Sequence, residues 1–134
     1  MADAGGDTLY ERAGGQPFFD ALVERFYEGV EADPVLRPMY PEDLTPGKRH
    51  LALFLAQYWG GPTTYSDERG HPALRARHLE FPIDTAERDA WVAHMVAAIR
   101  AGGLSAGDEQ QFVTYAEEAA TFLINMKPLG FRPG

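Results

Sequence analysis

An all-α fold is predicted for this chain, and three observations predict it. Apolar residues recur at helical spacing in four separate segments, beginning near Pro17, Pro46, Asp84 and Ser105. No segment alternates apolar and polar residues at period two, as a half-buried strand would. Each apolar segment is closed by residues that stop helices: Asp33-Pro34, Gly60-Gly61-Pro62, Gly102-Gly103 and Pro128. At 134 residues the chain makes one domain with a sizeable core. We place that domain at 9–126, between short tails at 1–8 and 127–134.

Thr8–Ala13 forms a short helical turn that Gly14-Gly15 breaks. Pro17 suits the first position of the next helix. Phe18, Phe19, Leu22, Val23, Phe26, Tyr27 and Val30 make its apolar stripe. It should end before Asp33-Pro34, because the residue preceding proline resists the helical region. Four prolines make 34–46 mostly loop, with Met39 and Tyr40 as its inward apolar residues. Thr45 as N-cap and Pro46 as first helical residue open a helix carrying Leu51, Phe54, Leu55 and Tyr58 inward. Residues 63–72 are expected to be loop, followed by a two-turn helix at 73–79 that holds Arg75, Arg77 and His78. Asp84 and Glu87 have capping-box spacing, and the helix they open carries Trp91, Val92, Met95, Val96 and Ile99. Ser105 and Asp108 cap the last helix, whose stripe runs through Phe112, Tyr115, Ala116, Ala119, Phe122, Leu123 and Met126.

Composition narrows the function. Hydrophobic content of 45% with 12% aromatics is that of a globular chain. A net charge of −8 leaves nothing to neutralise phosphates, so nucleic acid and anionic membrane surfaces are poor partners. The absence of cysteine removes disulfides, thiolate catalysis, iron–sulfur clusters and Cys-bound zinc. No apolar run approaches the roughly 20 residues needed to span a bilayer. The N-terminus has no basic segment followed by an apolar one, so a cytoplasmic location is expected.

Four histidines remain as candidate metal ligands, and they form no H-E-x-x-H or similar cluster. His78 stands out because Arg75 and Arg77 flank it in a short segment between apolar helices. A neutral imidazole is a good axial ligand for haem iron, an apolar slot suits the macrocycle, and guanidinium groups suit its propionates. Tyr27, Tyr40 and Trp91 lie at inward apolar positions and end in polar tips that could donate to a bound gas. Spacing alone leaves open a half-buried histidine with solvated arginines, and aromatics that merely fill a core. His94, three residues after Trp91, fits a structural histidine better than a second ligand, and His50 lies where it could reach a propionate.

The elements YWGGP, TYS, RGHP, LRARH and RDAW between Tyr58 and Trp91, with RFY at 25–27 and VLRPMYPED at 35–43, closely resemble the group II truncated haemoglobins. The resemblance runs from about Leu9 to Asn125. It implies a two-over-two α-helical sandwich around haem b, with His78 as the proximal iron ligand. Tyr27, Tyr40 and Trp91 match the family's distal hydrogen-bonding trio. Leu51, Phe54, Leu55, Phe81 and Met95 match haem-contact positions, and Arg77 and Tyr65 match positions near the propionates. Two departures stand out. Gly47 falls at or near the position that holds a distal histidine in larger globins. His50 stands where relatives often carry arginine.

The function so implied is reversible binding of dioxygen, and of other diatomic ligands such as CO and NO. Several donors should slow release, favouring storage, sensing or redox chemistry over bulk transport. A redox enzyme using the same haem, as nitric oxide dioxygenase or peroxidase, is the alternative, and it needs an external reductase. A haem-free helical interaction module is the remote one. A homodimer is left open.

Overall fold

Helices are the only regular elements among the described residues, 8–70 and 84–122, of the computed structural model. In order they are α1 (Leu9–Ala13), α2 (Gln16–Ala32), a 3-10 turn (Arg37–Met39), α3 (Thr45–Tyr58), α4 (Thr64–Arg69), α5 (Thr85–Arg100) and α6 (Ala106–Phe122). The expected helix at 73–79 and residues 123–126 of the last helix lie outside the described residues.

The local signals act where expected. Thr8 caps α1 by accepting from Glu11 N, and Gly14 and Gly15 take positive φ of 106° and 85° to turn the chain into α2. α2 ends at Ala32, before Asp33-Pro34. Asp84 and Glu87 form the complete capping box of α5. Ser105 Oγ accepts from Asp108 N, 3.2 Å away, at the start of α6.

α2 packs against both α3 and α5, and α5 packs against α6. The result is one pair of helices laid on another, the two-over-two arrangement. Phe19, Leu22, Phe26 and Val30 of α2 are fully enclosed, with Met95 and Ile99 of α5 and Phe112 of α6 opposite them. Each such side chain contributes about 1.5–3 kcal/mol by leaving water. The core also takes Leu36, Leu44, Val113 and Ala120, which the stripes did not predict.

Three expectations change. Residues 64–69 are helical rather than loop, because tertiary contacts hold them. Gln57 of α3 accepts from Ser66 N at 3.0 Å and donates to Ser66 Oγ at 2.8 Å, while Tyr65 is buried edge-on against Phe54. Tyr58 does not point inward: it is 51% exposed and stacks on Tyr115 at 4.0 Å, while Ala52, Leu55 and Ala56 supply the buried face of α3. Thr45 is the first helical residue rather than the N-cap, its N–H donating to Asp43 Oδ1 at 3.0 Å.

Candidate functional site

Three polar-tipped aromatics, far apart in the chain, meet where α2, the loop after the 3-10 turn, and α5 come together. Tyr27 lies on the buried face of α2, edge-on to Tyr40 with ring centres 5.7 Å apart. Phe26 joins them to Trp91: its centre is 5.3 Å from Tyr27 and 5.6 Å from Trp91, edge-on in both cases. Trp91 is placed by α5, and its indole acts on the Tyr40 phenol, lowering its pKa against the effect of burial.

Tyr40 would be loosely held by its own loop. Arg37 corrects that by folding its guanidinium over the following backbone. It donates to the carbonyls of Tyr40 at 3.2 Å, Pro41 at 3.1 Å and Glu42 at 3.2 Å. Sequence reasoning missed this residue. Its signal was an arginine inside a proline-rich loop whose carbonyls have no helical partner.

Burial pushes the Tyr27 phenol up to about 12. Burial also raises Tyr40, the neighbouring Tyr27 adds to that, and the Trp91 indole opposes it. Both hydroxyls therefore stay protonated at neutral pH and are able to donate. The trio presents donors rather than charges, which suits a neutral gas that becomes a partial anion when bound.

The apolar site residues stand on α3, α4 and α5. Leu55 and Tyr65 are buried. Leu51 and Phe54 of α3, like Tyr40, Trp91 and Met39, pack against the core but remain only partly covered. Met95 is fully enclosed on α5. His50 is half-buried on α3. His78, Arg75, Arg77 and Phe81 lie outside the described residues. His94 is held by Asp33, Nε2 to Oδ2 2.7 Å, with its ring over Gly29. That contact was invisible in sequence, since 61 residues separate the partners.

The bacterial-like globin family model matches residues 8–125. The chain belongs to that family. Among curated relatives, this globin is 46% identical over 99 residues to the group 2 truncated hemoglobin YjbI of Bacillus subtilis (strain 168), covering 74% of each chain. Among solved structures, the thermostable hemoglobin of the actinobacterium Thermobifida fusca is 54% identical, with a TM-score of 0.86 over 89% of this chain and 98% of that one. The truncated oxygen-avid haemoglobin of Bacillus subtilis is 40% identical, with a TM-score of 0.84 over 89% of this chain and all of that one (100%). The expected group II truncated haemoglobin thus stands, and with it haem-based binding of a diatomic gas.

The described residues are of the kinds a haem needs: apolar surface and hydrogen-bond donors. Leu51, Phe54, Tyr40 and Trp91 pack against the core yet stay only partly covered, and the Tyr27 and Tyr40 phenols are protonated. No helix among the described residues is long and apolar enough to cross a membrane.

Proposed function

We propose that this globin, folded as a domain over 9–126, holds haem b with His78 as the axial iron ligand. It binds dioxygen reversibly on the side lined by Tyr27, Tyr40 and Trp91. When bound, the haem supplies an iron with an open coordination position for a diatomic gas. The protein's part is to exclude water with Leu51, Phe54, Leu55, Phe81 and Met95, and to pair the propionates with Arg75, Arg77, His50 and Tyr65. Tyr40 and Trp91 donate to the ligand, and Tyr27 supports them. The convergence of three donors from α2, the 3-10 loop and α5 carries this reading. A similar protein described as oxygen-avid supports it.

A second reading, redox turnover of nitric oxide or peroxide, is favoured by the oxidisable rings of Tyr27 and Tyr40 in edge contact, with Phe26 bridging Tyr27 to Trp91. It requires an external reductase. Both readings place the protein in the cytoplasm.

Absorption spectra of the ferric, reduced, CO and O2 forms test the assignment. A Soret band with a stable O2 adduct is expected, and His78→Gly should lose or alter it. Trp91→Phe and Tyr40→Phe should each speed O2 dissociation about tenfold, the worth of one hydrogen bond of about 1–1.5 kcal/mol. Unchanged rates in both would remove the donor roles. Sustained nitric oxide consumption with a reductase present would favour the second reading.

A further inference from the structure

The Tyr27 hydroxyl reaches across to α3 at Gly47. A Cβ added to Gly47 would stand 2.8 Å from Tyr27 Oη and 3.7 Å from its Cζ, with no other contact within 4 Å among the described residues. Real Cβ atoms do not approach an oxygen so closely. Gly47 lies inside α3 and is not among the glycines with positive φ, so its backbone does not need glycine. Glycine there weakens the helix relative to alanine. Room for the phenol is the reason left.

The Tyr27 ring cannot retreat without cost. It sits edge-on against Phe26 at 5.3 Å and Tyr40 at 5.7 Å, and Phe26 in turn lies edge-on to Trp91 at 5.6 Å. A side chain at position 47 would therefore act on the whole trio through one hydroxyl.

We propose that Gly47 is a positioning residue for ligand binding: its bare Cα seats the Tyr27 hydroxyl, and that seat fixes how Tyr27 stands against Tyr40 and Trp91. This rests on the haem reading above. It goes further by giving the missing side chain a role in how the donor trio is set.

The test is a double-mutant cycle with Gly47→Ala, Tyr27→Phe and the pair, because residues in contact couple whereas independent ones add. In the haem-loaded protein, Gly47→Ala should shift the C–O stretch of the CO complex and speed O2 dissociation about threefold or more. In the Tyr27→Phe background, where the oxygen is gone, both effects should vanish. Melting temperature gives a readout that needs no haem: Gly47→Ala should lower it with Tyr27 present and raise it with Phe at 27. Equal spectral shifts in both backgrounds would mean a generally opened pocket and would overturn the proposal. So would no shift, or melting changes that simply add. A protein with no Soret band would instead sink the haem reading, and the ligand role of Gly47 with it. The sign of the melting change would then show whether the seat itself exists.

Discussion

Asp108 shows how one carboxylate ties the ends of the fold together. It is nearly buried and takes two parallel bonds from Arg12, Nε to Oδ2 and Nη2 to Oδ1, each 2.9 Å. They join α1 to α6 across 96 residues. The Arg12 hydrogen bonds hold the Asp108 carboxyl below its ordinary value, with burial opposing and the Ser105 bond assisting. Its folded pKa is thus depressed relative to about 3.9 in the unfolded chain. The stabilisation is complete above that value and is lost as pH falls through the folded pKa. Arg12 is partly exposed, so the pair is worth about 1 kcal/mol at most. Asp108→Asn should lower the melting temperature at pH 7, and the gap from the parent should close as pH drops below roughly 4. A gap that persists in acid, in melts followed by circular dichroism, would assign the loss to packing.

Among the elements, the loop after the 3-10 turn is the one whose shape the function needs and whose own propensity does not supply. Prolines prevent a long helix there, so its carbonyls depend on side chains. Arg37 serves three of them in succession, and Tyr40 is the first. Arg37→Ala should speed O2 dissociation in the same direction as Tyr40→Phe but by less, since Tyr40 is loosened and not removed. It should cost about 1–2 kcal/mol in denaturant unfolding. An unchanged off-rate would show that the loop is held by its other contacts. α4 makes the related point for stability. Its six residues are too few to be helical alone, and Gln57 and Phe54 of α3 fix them.

For the molecule as a whole, Phe26 is where stability and site coincide. It is fully buried in the helix that bridges the two helix pairs, and its ring touches both Tyr27 and Trp91. Phe26→Ala should cost about 3–5 kcal/mol by transfer and cavity terms together. That is a large part of the stability of an ordinary domain. Phe26→Leu should be milder in melting temperature, yet still loosen the trio. A large loss from Leu as well would show that ring shape, not volume, holds the junction.

The helices of the described residues and the aromatic trio were legible in the order of residues. Periodicity, caps and breakers act over three or four positions, so α2 and α5 could be drawn nearly to their ends and α6 from its start. The motifs from YWGGP to RDAW pointed to a truncated haemoglobin, and Tyr27, Tyr40 and Trp91 do come together. What only packing decided are contacts between distant positions: Gln57 making a helix of 64–69, Tyr58 turned out onto Tyr115, His94 on Asp33 across Gly29, and Arg37 over the Tyr40 carbonyl. Gly47 belongs with these. A glycine in a helix looks like a weakness along the chain, and becomes the space for a hydroxyl only once α2 is laid against α3. Local propensity is carried by neighbours in the chain, whereas hydrogen bonds and excluded volume act between groups that folding alone brings within reach.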